Sequence, residues 1–147
     1  MADRRRAVLT VAAPTPKGIY SQGIVGHGPF VHVAGQGPVD PRSGRIIGRT
    51  FTEQAHRTFR NVGAILRAAG SSWGQAVKTS VFLADLKDFA EMNRVYRHYV
   101  RAPYPARTTV QAGLMGILIE VDCVALAPVR GPGRGSAGSR SRRSPRR

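Results

Sequence analysis

Thiols, acids and long apolar runs are all scarce in this chain, and each shortage removes a class of answer. Cys123 is the one cysteine in 147 residues, so no intramolecular disulfide can form and no cysteine-based zinc site can be assembled. It lies in the alternating run 117–124 with no neighbouring His or Lys to lower its pKa, the setting of a buried small apolar residue rather than a reactive thiol. No stretch reaches 18 apolar residues, which excludes a spanning helix. The opening Met1-Ala2-Asp3-Arg4-Arg5-Arg6 runs into a short mixed segment broken at Pro14 and Pro16. That is not the apolar core of a signal peptide, and cytoplasmic residence is the expectation.

Acids are outnumbered, with 8 Asp and Glu against 23 Lys and Arg, for a formal net charge of +15. Divided along the chain, this excess looks less like a nucleic-acid signature. Residues 130–147 hold seven arginines and no acid (+7), residues 1–9 hold three arginines and Asp3 (+2), and +6 remains for everything between. The C-terminal stretch is Gly, Ser, Pro and Arg without apolar periodicity. It cannot bury enough surface to order itself and is expected to be a disordered tail, solvated rather than an electrostatic arm for RNA or DNA. The reading is a basic N-terminal segment over 1–9 that leads into the first strand, one domain over 10–129, and a tail over 130–147.

Within that domain, Ala7–Val11 reads as a short strand. Gly23–Val25 and Phe30–Ala34 flank the Gly26-His27-Gly28-Pro29 cluster as a hairpin, and Asp40–Gly44 is a turn. From Thr52 to Ala69, apolar residues at Ala55, Phe59, Val62, Ile65, Leu66 and Ala69 recur three and four apart, and Gly70 stands beyond them as a stop. This is an amphipathic helix. Ala76–Leu83 is a strand, and Asp85 can cap the helix beyond it, where Phe89, Met92, Val95, Tyr96 and Tyr99 form a second apolar stripe that ends near Pro103. Arg107–Val110 and Leu118–Leu126 complete the set, read as a hairpin across Gly113 and Gly116. Two helices with one apolar stripe each predict an α+β domain with both helices on one face of a mixed sheet. The other face is then left for water or for further copies of the chain, and self-association is the better expectation.

Candidate chemistry is sparse. Gly35-Gln36-Gly37 leads into Pro38 rather than a helix and is no phosphate cradle. His27, His32, His56 and His98 lack metal-ligand spacing, so packing or surface roles are expected and no metal is. On the last strand, alternation places Leu118, Glu120, Asp122 and Val124 on one face and Ile117, Ile119, Val121 and Cys123 on the other. A hairpin could bring Arg107 near Glu120, as a salt bridge or as a binding pair for a ligand anion.

Several short segments carry a resemblance. Tyr20-Ser21-Gln22 after Gly18, the strand end Val33-Ala34-Gly35-Gln36, Asp85-Leu86-Lys87-Asp88-Phe89 leading to Asn93, Pro105-Ala106-Arg107, and Ile119-Glu120-Val121 occur in the order in which the RidA (YjgF/YER057c/UK114) family has them. From about Ala13 to Ala127 the chain resembles that family, and the tail has no part in the match. The resemblance implies a chorismate-mutase-like α+β protomer, a homotrimer with a ligand cleft at each subunit interface, and a hydrolytic deaminase of 2-imino and 2-enamino acids that needs no metal or organic cofactor.

By the same resemblance, Arg107 grips the substrate carboxylate and Glu120 orients or deprotonates the attacking water. Tyr20 and Asn93 hold the substrate or close the cleft, and backbone near Gly35 bonds the imine nitrogen or water. The chain departs from the family where Ala34 stands in place of the usual Ser before Gly-Gln, and where Thr109 occupies a position that is commonly Cys. Losing one active-site hydrogen bond lowers a rate by roughly one to three powers of ten or marks a changed substrate. Two other classes stay open: an RNA-binding or endoribonuclease-like protein that uses the basic tail, and a trimer that binds a small carboxylate without turnover. No membrane partner is implied.

Overall fold

The structure is a computed structural model that describes residues 4–129; the expected disordered tail lies outside them, as do the first three residues. Eight elements succeed one another along the chain: β1 (Arg5–Val8), β2 (Gly23–Gly26), β3 (Phe30–Gln36), α1 (Phe51–Ala68), β4 (Ala76–Leu83), α2 (Phe89–Tyr96), β5 (Ala106–Gln111) and β6 (Ile119–Leu126), with short 3-10 turns at Trp73–Gln75 and Leu86–Asp88. Four strands form a mixed sheet in the order β3-β6-β4-β5, in which only β4 and β5 run parallel. β1 and β2 form a separate antiparallel pair.

The expected fold class stands, but both expected hairpins are corrected. β2 pairs with β1 rather than with β3, and β3 crosses to β6, where Val31 and Val33 lie opposite Ala125 and Cys123 and join the apolar layer under α1. β5 and β6 are not neighbours either. β4 stands between them, with Thr79, Val81 and Leu83 buried on one side. A strand apolar enough to be central takes a partner on each edge, and the connection through Gly113 and Gly116 must pass around it. The first strand also begins earlier than the apolar pattern indicates. Arg5 is buried and donates to the carbonyls of Ala76 (2.7 Å) and Pro103 (3.2 Å), and Arg4 donates to that of Ala127 (2.8 Å), while Leu9 and Val11 are exposed.

α1 starts one residue before the expected position because a capping box sets its start. The Thr50 hydroxyl accepts from the Glu53 backbone N–H (3.2 Å), and the Glu53 carboxylate accepts from the N–H groups of Thr50 (3.1 Å) and Arg49 (2.7 Å). Such a cap stabilises a helix by about 1 kcal/mol. The buried stripe of Ala55, Phe59, Val62 and Leu66 packs on the sheet. Phe59 is the centre of an aromatic cluster, stacked on Tyr99 at 5.1 Å with Trp73 at 5.5 Å and Tyr96 at 5.7 Å. β6 keeps its predicted alternation: Ile119, Val121 and Cys123 are buried under the helices, and Glu120, Asp122 and Val124 are half-buried on the open face. Burial pushes the Cys123 thiol up to about 12, in keeping with a packing role. No helix among the described residues is long and apolar enough to cross a membrane.

Candidate functional site

The parallel pairing of β4 and β5 decides where Arg107 points. Arg107 lies opposite Thr79, and Thr79 lies opposite Cys123. Ladder partners share a face, so Arg107 is on the helix side of the sheet. There its guanidinium lies over the Tyr96 ring at 4.9 Å and near the Phe89 ring at 5.8 Å. The Tyr96 hydroxyl is held by the Thr79 hydroxyl at 2.9 Å. Thr79 is thus both the lateral neighbour of Arg107 and the anchor of the ring beneath it. Burial pushes the Tyr96 phenol up to about 12, with the Thr79 hydrogen bond opposing, so the ring is a neutral platform.

Three polar atoms in this region are buried and make no hydrogen bond: Arg107 Nη1, Asn93 Oδ1 and Thr109 Oγ1. Asn93 lies on α2 between Phe89 and Tyr96, four residues after one and three before the other, and so on the stripe that faces Arg107. Thr109 stands two residues beyond Arg107 on β5 and shares its face. Tyr20 reaches the same place because Ser21 is tied to the entry of β5: its N–H donates to the Pro105 carbonyl (3.2 Å) and its hydroxyl to that of Tyr104 (2.6 Å). Burial lowers the Arg107 pKa from its ordinary value, and the Tyr96 and Tyr20 hydroxyls oppose that shift. A guanidinium so high in pKa stays charged regardless. A half-buried cation with a buried, unfilled donor, beside two unfilled oxygen atoms, is arranged to receive a small anion that carries polar substituents.

Glu120 belongs to a different cluster. It lies opposite Phe82 on the open face of the sheet. β3 slips register between Val33 and Gln36, which leaves Ala34 and Gly35 without ladder partners on β6. A Cβ on Gly35 would collide with the Glu120 carboxylate, which lies this close to the β3 backbone because position 35 has no side chain. The expected meeting of Arg107 and Glu120 across a hairpin is therefore corrected: within one chain they occupy opposite sheet faces with β4 between them. Asp122 is structural, with Oδ1 accepting from the Ser80 N–H at 3.0 Å. Among the described residues, no three His, Cys, Asp or Glu side chains are grouped to hold a metal ion.

Helical periodicity places Phe89 and Tyr96 in the core stripe of α2, but nothing in the sequence singles out Thr79. The stripe is legible; that the strand beneath it is the one bearing Arg107 is not.

Comparison with known proteins identifies the family. The model of the family described as endoribonuclease L-PSP matches residues 10–127. A RutC family protein of Pyrococcus abyssi is 43% identical over 124 residues, 82% of this chain and 96% of that protein. The 2-iminobutanoate/2-iminopropanoate deaminase of Homo sapiens is 36% identical over 124 residues, 83% of this chain and 90% of that one. The crystal structure of Escherichia coli TdcF with bound serine superposes with a TM-score of 0.62 at 35% identity, covering 84% of this chain and 99% of that one. A match over nearly the whole described domain, in sequence and in fold, makes this chain a member of the RidA/YjgF family.

Proposed function

We propose that the protein is a hydrolytic deaminase of reactive 2-imino and 2-enamino acids, working without a cofactor and as a homotrimer with its clefts at the subunit interfaces. The observation that carries this reading is Arg107: a half-buried guanidinium with a buried, unpartnered Nη1, stacked on Tyr96 beside Tyr20, Asn93 and Thr109. Its fork of donors suits the α-carboxylate of such a substrate. Glu120, Ala34 and Gly35 lie on the open face, so they complete the site when that face of a second copy lies against the β5 edge. Relatives named as iminobutanoate/iminopropanoate deaminases support the chemistry.

In the reaction, Glu120 takes a proton from water as its oxygen bonds to C2 of the protonated imine, and the C=N electrons move to nitrogen. The carbinolamine nitrogen then gains a proton, the C–N bond breaks, ammonia leaves, and loss of the hydroxyl proton gives the 2-oxo acid. An enamine enters the same route after protonation at C3. The Ala34 and Gly35 backbone groups, which have no ladder partners on β6, bond the water or the nitrogen.

The test is release of ammonia and 2-oxo acid from imines generated in place by an amino acid oxidase acting on alanine or aminobutyrate. Acceleration by the wild type that disappears in Arg107→Ala and in Glu120→Ala is expected. Equal rates for wild type and folded Arg107→Ala on every imine would refute the assignment. Ala34 and Thr109, where the family commonly has Ser and Cys, favour a second reading: a trimer that binds a small carboxylate without turnover; the TdcF structure contains bound serine. Saturable binding of a 2-oxo acid with no ammonia release would select it.

A further inference from the structure

None of the residues that line a second concavity belongs to the clusters of Arg107 or Glu120. On the outer side of α1, an open groove of about 550 Å³ is lined by Ile47, Gly48, Arg49, Thr52, Glu53, His56, Arg57 and Arg60. We propose that this groove binds a small phosphate-bearing anion, a phosphate monoester or a diphosphate.

Charge supports it first. Among the described residues the ion pairs are Lys87–Asp85 and Arg94–Glu91, so none of the three groove guanidinium groups has a carboxylate within 4.0 Å. Arg57 donates to the neutral Asn61 Oδ1 (2.8 and 3.1 Å), and Arg60 lies against the Tyr99 hydroxyl. The one acid in the wall, Glu53, accepts from the backbone N–H groups of Arg49 and Thr50, which hold its pKa below the ordinary carboxylate range. Glu91, which accepts from the Thr52 hydroxyl, is matched by Arg94, and Asp40 acts on Arg57 from outside the wall; the three guanidinium groups still outnumber the acids, which suits a phosphate dianion better than a single carboxylate. Guanidinium forks also fit phosphate oxygens in pairs.

The wall is built rather than incidental. Gly48 has φ +103°, and a Cβ there would stand 2.8 Å from the Gln54 backbone nitrogen and 2.9 Å from the Glu53 Cβ. Any other residue pushes the 47–49 segment away from α1. Gln54 Nε2 also donates to the Gly48 carbonyl at 3.2 Å, which holds the segment that carries Arg49 against the start of α1.

His56 is a reporter within the groove. Its Nδ1 meets the Tyr99 hydroxyl at 2.8 Å, and its ring stands 5.5 Å from that of His98. Burial, then Arg60 and His98, lower its pKa; Glu91 opposes and Arg94 adds to the effect. A bound dianion reverses the direction.

The test tracks the His56 ring resonances of the full chain by NMR at constant ionic strength. Inorganic phosphate, pyrophosphate and adenosine monophosphate are the probes, and acetate is the control. Saturable shifts with the phosphates and not with acetate are expected, with a rise in the His56 pKa on binding. Arg49→Gln with Arg60→Gln should weaken the phosphate affinity about tenfold or more, as loss of charge-assisted hydrogen bonds does. Gly48→Ala should weaken it too, while Arg107→Ala leaves it unchanged; this separates the groove from the proposed deaminase site. Shifts that never saturate, that persist in the double variant, or that acetate produces equally would overturn the proposal. Because both arginines are exposed, the double variant is expected to keep the wild-type circular dichroism spectrum; loss of binding that comes only with unfolding, while Gly48→Ala binds as wild type, would count against it.

Discussion

The two faces of the four-stranded sheet treat their polar groups differently. On the open face, Lys78 donates to the Thr108 hydroxyl (2.7 Å) and Asp122 accepts from Ser80. These groups are satisfied locally and could be removed at small cost. On the helix face, Arg107, Thr109 and Asn93 keep buried atoms without partners, although Thr79 and Tyr96 beside them are paired. Unfilled buried groups destabilise a fold by roughly 1–3 kcal/mol each. Their concentration around one guanidinium is what a ligand site requires and a purely structural core avoids.

The largest effect that would test this contrast is at Glu120, the open-face group for which a catalytic role is proposed. Glu120→Gln should lower the rate of ammonia release by about 10²–10⁴-fold, in the range for loss of a general base, with secondary structure unchanged by circular dichroism. Arg107→Ala is expected to cost about 10²–10³-fold, and Arg107→Lys should restore little because a point charge lacks the planar fork. Thr79→Val leaves the Tyr96 hydroxyl buried without a partner. It should reduce stability by about 1–3 kcal/mol in urea unfolding and raise KM for the imine more than it lowers kcat. If KM stays at the wild-type value, the ring does not set the guanidinium.

Smaller still is the cap of α1, which lies outside the contrast and serves as its control. Thr50→Ala should cost about 1 kcal/mol of stability and leave turnover unchanged. The Glu53 pKa is held below its unfolded value by the Arg49 and Thr50 N–H groups. Its contribution is therefore present above the ordinary carboxylate pKa and disappears as pH falls through the lowered one. Thermal melts of Glu53→Gln and wild type should converge on acidification.

Much of the fold is legible in the residues alone. The spacing of Ala55, Phe59, Val62 and Leu66 locates α1, the β-rich run Ala76–Leu83 matches β4 to the residue, and alternation on β6 separates Glu120 and Asp122 from Ile119, Val121 and Cys123. The apolar stripe puts the start of α1 one residue late, although Thr50-Phe51-Thr52-Glu53 carries the capping-box signal, because a cap lies outside the stripe it starts. The candidates Arg107, Glu120, Tyr20, Asn93, Ala34, Gly35 and Thr109 rest on ordered short motifs, not on periodicity. Thr79 gives no signal, because a Thr within a β-rich run looks like any other strand residue.

The sequence by itself determined most of the local elements, the buried side of α1 and of β6, and the separation of basic ends from a nearly ordinary body. These arise from patterns with a period of two or of 3.6, which need no knowledge of distant neighbours. Tertiary structure alone decided that β4 would stand between β5 and β6, that β2 would leave β3 for β1, and that Arg107 would turn toward Tyr96 while Glu120 faced the other way. Strand partners are chosen by which apolar faces fit together across the whole chain. An alternating strand reads the same whichever neighbour it takes, and a one-residue change of register exchanges its two faces.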